Sequence, residues 1–225
     1  MNIDLTVNVC KYDPSPGVPY LETEMYPLFL DEETANALYK EIISIPELRD
    51  LIDRRPNRRS NITVGDAGKE YTITFGGYGG RPENTIIRRA IPWEEISCGQ
   101  SLLAIKRMVE WTTNVPEGTY TICVVQYYPH GRVGIHPHRD KEMLPGTTSR
   151  PLGRRAGICG ISLGATRTLE MSPPHFLPDE PPLRLELGNG SMYVLLPPTN
   201  DWWKHSIVKD QDIDIPRISL TFRSY

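Results

Sequence analysis

The sequence has little of what marks several common protein classes. Its four cysteines, at positions 10, 98, 123 and 159, show no paired or CxxC spacing. That argues against a disulfide framework and for free thiols in a reducing compartment. No apolar run approaches the roughly 18 residues that a membrane-crossing helix needs. The N-terminal Met-Asn-Ile-Asp-Leu-Thr lacks a basic region followed by an apolar stretch, so it does not read as a secretory leader. A soluble, intracellular protein is expected, with nucleus and cytoplasm not distinguished. The formal net charge is only −3, which does not advertise a nucleic-acid binder.

What is present points to a loop-rich β fold. There are 18 glycines and 21 prolines in 225 residues, about a sixth of the chain, too few for a disordered composition. A chain of this length can bury one substantial core. Residues 1–27 read as extended or irregular. Asp31 can cap a helix over about 32–45, with Ala35, Leu38 and Ile42 as its apolar stripe and Pro46 ending or interrupting it. A second helix is expected over roughly 101–112, with Ser101 as cap and Leu102, Ile105, Met108 and Val109 as its face. From 119 onward the pattern predicts strands near 120–128, 134–140, 157–163, 167–171, 183–187, 191–196, 204–209 and 216–223. Gly188-Asn189-Gly190 is a tight turn between two of them. Seven or eight short strands with glycine and proline turns indicate a sandwich or jelly roll.

Chemistry concentrates in Ile135-His136-Pro137-His138-Arg139-Asp140. In an extended segment residues i and i+2 share a side, so His138 and Asp140 reach one small volume. A distant second histidine would complete a 2-His-1-carboxylate triad with open positions for non-haem Fe(II); His205 is the best candidate. His136 is a rival ligand, because it shares a face with His138. Pairing His136 with Asp140 is less attractive, since four extended residues span about 13 Å. His130 and His175 fall in loops and read as exposed or locally satisfied. In the last strand, Arg217, Ser219, Thr221 and Arg223 share one face, while Ile218, Leu220 and Phe222 share the other. Buried guanidinium groups need an anion or hydrogen bonds; a dicarboxylate beside the metal, 2-oxoglutarate above all, would satisfy them.

These segments resemble the AlkB-like branch of the Fe(II)/2-oxoglutarate dioxygenases. The resemblance is carried by His138-Arg139-Asp140-Lys141-Glu142, Ser162-Leu163-Gly164-Ala165-Thr166-Arg167, Trp203-Lys204-His205-Ser206 and Pro216-Arg217-Ile218-Ser219-Leu220-Thr221-Phe222-Arg223. It covers about residues 54–225 and looks closest to the DNA-repair demethylases, whose lid resembles the stretch around Val64-Gly65-Asp66-Ala67-Gly68. It implies a mainly β fold, a double-stranded β-helix (jelly roll) over 119–225. An N-terminal extension with helices and a nucleotide-recognition lid would occupy 1–118 of the same domain. Fe(II) would sit on His138, Asp140 and His205, with 2-oxoglutarate and O2 as cosubstrates. Arg217 would pair with the distal carboxylate, Tyr128 would also contact the cosubstrate, and Arg223 would lie at the metal-proximal end. Gln126 and Ser219 stand where the family usually has asparagine. Gln126 keeps an amide one methylene further out, and Ser219 loses it, with water or Gln126 to compensate.

The implied reaction is oxidative demethylation of N-alkylated bases in DNA or RNA, releasing formaldehyde, succinate and CO2. The base must be flipped or unpaired. Residues 49–59 carry five arginines against two aspartates. Arg54, Arg55, Arg58 and Arg59 are candidate phosphate contacts; a solvated arginine surface is the plain alternative. Tyr78, among Gly76, Gly77, Gly79 and Gly80, is placed to stack on a base. By resemblance Glu142 would contact the base edge, and Arg139 and Arg167 would line the entrance. Tyr127 points away from Tyr128 and reads as core filler. DNA is favoured over RNA as the partner, no membrane is involved, and a monomer is expected. One rival is a hydroxylase of a protein side chain or small molecule using the same iron and cosubstrate. Another is a silent binding module, which would have lost a ligand or Arg217; neither is lost. A zinc hydrolase would leave the final strand's arginines without a role.

Overall fold

The computed structural model describes residues 8–12, 21–74, 85–140, 156–173, 181–196 and 199–224, without the side chains of 8–12, 70–88 and 201. Before residue 119 the chain forms β1 (Asn8–Tyr12), β2 (Leu21–Tyr26), α1 (Glu32–Ile43), α2 (Pro46–Arg54), β3 (Ser60–Gly65), β4 (Glu70–Thr74), β5 (Thr85–Arg89), β6 (Ile91–Pro92) and α3 (Gly99–Thr112). After it come β7 (Ile122–Tyr128), β8 (Ile135–His138), β9 (Ile158–Gly164), β10 (Arg167–Ser172), β11 (Leu183–Leu187), β12 (Met192–Leu195), α4 (Thr199–Trp202), β13 (Lys204–Ile207) and β14 (Arg217–Arg223). Eight strands in the C-terminal half match the sequence pattern closely.

The strands build an eight-stranded sheet, β1-β2-β12-β9-β14-β7-β3-β6, and a four-stranded sheet, β11-β10-β13-β8; β4 and β5 pair separately. This two-sheet arrangement is the double-stranded β-helix. One core cluster fills the space between the large sheet and the helices. It joins Leu38, Ile42, Leu48, Leu102 and Val109 to Cys123, Val125, Ile218, Leu220 and Phe222. A second lies between the sheets, joining Tyr128, Ile158 and Tyr193 to Leu169, Met171, Leu187 and Ile207. The large sheet is thus covered on both faces, and period two divides its side chains between the two cores.

The N-terminal half departs from the pattern in three places. Residues 1–27 contain two strands, and β2 joins the large sheet through β12. The helix from 32 stops at Ile43, as Pro46 opens α2 rather than merely interrupting; its fixed φ and missing N–H suit a first helical turn. Asp31 does cap α1, its Oδ1 accepting from the Thr34 amide at 2.7 Å. Ser101 does not cap α3, which begins at Gly99 after Cys98 without a side-chain bond. Close approach fixes that start: a Cβ on Gly99 would fall 1.7 Å from the Trp93 carbonyl oxygen.

Candidate metal centre and cosubstrate pocket

The metal-ligand triad is assembled by adjacent strands of the small sheet. His205 on β13 and His138 on β8 are direct cross-strand partners, with ring centroids 4.3 Å apart. Asp140 follows β8 two residues after His138. The ligand atoms of His138, Asp140 and His205 all lie within 4.8 Å of one another. Asp140 Oδ1 lies 3.6 Å from His138 Nε2 and 3.9 Å from His205 Nε2, while Oδ2 lies 3.0 Å from Arg223 Nη2. One oxygen is turned to the imidazoles and the other to the guanidinium, an arrangement suited to one-oxygen ligation.

The protonation states suit a divalent ion. His138 Nδ1 lies 2.9 Å from the His136 carbonyl oxygen, which only accepts, so Nδ1 carries a proton and Nε2 is the nitrogen turned to the triad. Burial pushes the His205 pKa down to about 4 against the pull of Asp140, so this imidazole is neutral at pH 7. Burial alone would raise the Asp140 pKa; Arg223, the His138 hydrogen bond and His205 outweigh it and hold the carboxyl well below its usual range. For His138, burial opposes charge, yet the bond to Asp140 and its charge lift the pKa above 6.5. Two imidazoles and one carboxylate with open positions are the donor set of non-haem Fe(II).

The final strand divides as its period predicts. Ile218, Leu220 and Phe222 enter the helix-side core, and Arg217, Ser219, Thr221 and Arg223 are all buried. Arg217, 1% exposed, donates from Nε to Ser162 Oγ at 2.8 Å, while Nη1 and Nη2 have no partner among the described residues. Its Cζ lies 5.2 Å from the centre of the Tyr128 ring, across the register pair Arg217–Tyr128. Tyr128 donates its hydroxyl proton to Gln126 Oε1 at 2.8 Å. Ser219 stands opposite Gln126 on β7 and Ser162 on β9. Two orphaned donors on a buried cation match a carboxylate in charge and fork geometry, so the residues present fit 2-oxoglutarate as well as the metal.

Other sequence candidates fall outside this cluster. The side chain of His136 is exposed and is not among the grouped ligands. Arg167 is 2% exposed, and its terminal nitrogens donate to the carbonyls of His130, Gly131, Val133 and Val208. Those bonds give it a role in the fold that requires no substrate. Arg139 is half-buried beside the triad. Arg58 and Arg59 are exposed, and Arg54, Arg55, Pro56, Asn57 and Arg58 line a surface pocket of about 430 Å³. They precede β3 at its Tyr127 end, whereas Gly65, at its other end, pairs with Ile122 opposite Arg223. Tyr127 packs on the helix-side core as expected. Tyr78, Glu142 and His175 lie outside the described residues.

Asn200 was not singled out by the sequence. On α4, its Oδ1 accepts the Asp140 amide at 2.9 Å and its Nδ2 donates to the Asp140 carbonyl at 3.0 Å. The neighbouring Thr199 Oγ1 accepts the Glu22 amide at 2.8 Å and donates to the Glu22 carbonyl at 2.7 Å. The backbone of a metal ligand is therefore tied to β2 through two short side chains. The sequence signal was an asparagine just before His205, with no periodicity to mark it. Ser162, the partner of Arg217, is visible only through strand register.

The comparisons agree with this chemistry. A family model described as the 2OG-Fe(II) oxygenase superfamily matches residues 22–223. The DNA oxidative demethylase ALKBH2 of Mus musculus is 29% identical over 170 residues, 73% of this chain and 61% of that protein. The alpha-ketoglutarate-dependent dioxygenase alkB homolog 3 of Homo sapiens is 28% identical over 132 residues, 55% and 42% of the two chains. This chain therefore aligns with about six-tenths or less of the length of these curated relatives. The solved structure of OsALKBH1 gives a TM-score of 0.48 at 13% identity, covering 96% of this chain and 100% of that one. The family match encloses the triad, Tyr128, Arg217 and Arg223; the chain belongs to the 2OG-Fe(II) oxygenase superfamily.

Proposed function

We propose that this oxygenase removes N-linked methyl groups from nucleic-acid bases, with DNA favoured over RNA. The oxidative half of the reading is carried by one observation: the triad and the orphaned Arg217 nitrogens border the same inter-sheet space. The substrate half is supported by the similarity to ALKBH2, described as a DNA oxidative demethylase, and by the exposed arginines at 54–59.

When bound, Fe(II) with 2-oxoglutarate and O2 supplies the oxidising power, converting the cosubstrate to succinate and CO2 while one oxygen atom enters the substrate C–H bond. The protein's own residues prepare that step. His205, neutral at pH 7, and His138, whose Nε2 proton shared with Asp140 the ion would displace, would present Nε2 lone pairs, and Asp140 would supply one negative charge, with Arg223 holding its second oxygen. Arg217 receives the distal carboxylate, and Tyr128, fixed by Gln126, walls the pocket. The second core cluster puts apolar side chains between the sheets, which would limit the water around the reacting groups. An N-hydroxymethyl base then releases formaldehyde and leaves the unmodified base.

Arg54, Arg55, Arg58 and Arg59 would contact phosphates rather than the reacting base, since β3, about 20 Å long by its six residues, separates them from the metal end. Their removal would weaken binding uniformly and flatten its salt dependence. The direct test is mass spectrometry of single-stranded oligonucleotides carrying 1-methyladenine, 3-methylcytosine or N6-methyladenine. A 14 Da loss that requires both 2-oxoglutarate and an intact His138 is expected. Turnover of 2-oxoglutarate without any mass change in the oligonucleotides would overturn the reading in favour of a protein or small-molecule hydroxylase.

A further inference from the structure

The histidine ligands stand on the small sheet, yet the turn that precedes His205 is fastened to the large one. After β12 the chain leaves the large sheet, and it enters the small sheet at Lys204. Between them lies α4, a helix of four residues, too short to hold itself by helical propagation. Its Thr199 is 1% exposed, and a hydroxyl is costly to bury without partners. Both capacities of that hydroxyl go to one residue of β2. Oγ1 accepts the Glu22 amide and donates to the Glu22 carbonyl, a two-bond ring on a strand 177 positions earlier. The Glu22 carbonyl also accepts the Leu196 amide at 3.1 Å, and the Leu196 carbonyl accepts the Thr199 amide at 2.8 Å. The start of the crossing is thus bound to β2 through main chain and side chain alike.

From there the turn reaches two of the three ligands. The Thr199 carbonyl accepts the Trp203 amide at 2.9 Å. Trp203 is buried in the core between the sheets and stands two residues before His205. Asn200 holds the amide and the carbonyl of Asp140. Asp140 lies past the end of β8, which stops at His138, so Asn200 does for its main chain what a ladder partner would do. His138 is fixed by its own cross-strand pairing with His205. One buried hydroxyl therefore stands behind the approach of both Asp140 and His205.

We propose that Thr199 is a positioning residue for the metal centre: through Glu22 it makes the N-terminal strand β2 part of the ligand scaffold, and metal occupancy tightens its hold on β2 in return. Coupling between two sites is reciprocal. If the Thr199–Glu22 bonds strengthen metal binding by some factor, the bound ion strengthens those bonds by the same factor. Thr199 is not among the grouped metal ligands, and the inference does not depend on which substrate is oxidised. It stands or falls separately from base demethylation.

The test titrates Mn(II), which accepts nitrogen and oxygen ligands, into the full chain without nucleic acid or cosubstrate. Thr199→Val keeps the side-chain shape and removes both bonds. It is expected to weaken Mn(II) binding by about tenfold, the low end for groups that orient a ligand from behind, and to change the electron paramagnetic resonance spectrum of the bound ion. Thr199→Ser keeps the hydroxyl and should restore both affinity and spectrum. In the wild-type chain, hydrogen exchange at the Glu22 amide should slow by about tenfold on saturation with Mn(II), as reciprocity requires. Mn(II)-saturated Asn200→Ala should lack that slowing, which separates the clasp from a general stabilisation by the ion. A Thr199→Val protein with a lowered unfolding midpoint but wild-type Mn(II) affinity would make Thr199 a residue of the fold alone and overturn the proposal. A wild-type Glu22 amide that exchanges equally fast with and without Mn(II) would overturn it as well, and that measurement needs no variant.

Discussion

Arg167 and Arg217 are both almost fully buried, 2% and 1% exposed, and flank the same aromatic ring, with Cζ 5.8 and 5.2 Å from the centre of Tyr128. Burial lowers the pKa of each. What separates them is where their protons go. The terminal nitrogens of Arg167 are spent on four main-chain carbonyls, with only Nε left over. Among the described residues, Arg217 has one bond, through Nε, and no partner for either terminal nitrogen. A buried cation that is satisfied by backbone ties the fold together. One that is left short of acceptors is shaped for something that arrives from outside.

Replacing each arginine by methionine should break the symmetry in opposite directions. Arg217→Met is expected to reduce 2-oxoglutarate affinity by at least about 100-fold, since a charge-assisted fork is removed. It should leave the stability of the cosubstrate-free protein unchanged or raised, because an incompletely compensated buried charge is replaced by an apolar chain. Arg167→Met should do the reverse. Four carbonyls lose their donor, and a stability loss of about 3 kcal/mol is expected, with 2-oxoglutarate affinity nearly unchanged in protein that remains folded. Urea denaturation of the free protein and calorimetry with the Mn(II)-loaded protein read both axes. A large loss of 2-oxoglutarate affinity in folded Arg167→Met would show that its bonding pattern had been misread.

This distinction marks how far the sequence could be read. Alternation alone separated Arg217 and Arg223 from Ile218, Leu220 and Phe222, because a strand with an apolar and a polar face has only one sensible register. The spacing of His138 and Asp140, with His205 beyond, identified the ligands for the same reason. The N-terminal half was less legible. Its strands β2 and β3 are held in the large sheet by partners far along the chain, β12 and β7, so no local period announced them. Arg167 was read as an entrance residue because a sequence does not show which carbonyls turn inward. The acceptors lie in the loop at 130–133 and at Val208, which only the fold brings beside β10. Asn200 was hidden likewise, since its partner is a backbone amide and carbonyl sixty residues away.

Asn200 combines the two behaviours: its bonds go to backbone, as those of Arg167 do, but the backbone belongs to a metal ligand. Asn200→Ala is expected to weaken Mn(II) binding by about 10- to 100-fold, the range for groups that orient a ligand. Asn200→Asp keeps an acceptor for the Asp140 amide but loses the donor to its carbonyl, and should fall between. If the clamp only stabilised the fold, both variants would lower the unfolding midpoint while leaving metal affinity at the wild-type value. Electron paramagnetic resonance of the bound Mn(II) provides the independent readout of ligand geometry.

The smallest effect concerns the helix side of the large sheet, where three buried thiols stay neutral. Cys98, Cys123 and Cys159 are free and buried. Burial pushes the Cys98 thiol up to about 11 and Cys159 up to about 12, from an ordinary 9.0, and raises Cys123 too. A folded-state pKa above the unfolded one means that the unfolded chain loses its proton first as pH rises. Stability is therefore fully present below about pH 9 and declines above it. Each thiol contributes a slope approaching 1.4 kcal/mol per pH unit between the two pKa values, and so somewhat under about 1 kcal/mol at pH 9.5. Urea midpoints measured from pH 7.5 to 10 should be flat and then fall, and Cys159→Ala, compared with its own value at pH 7.5, should fall less steeply. Asp140, on the metal side of the sheet, adds no slope in this range, because it is already charged and paired with Arg223. A pH-independent midpoint up to pH 10 would mean that the thiols are already exposed in the folded protein. The two faces would then no longer differ in the way that the arginines on β10 and β14 do.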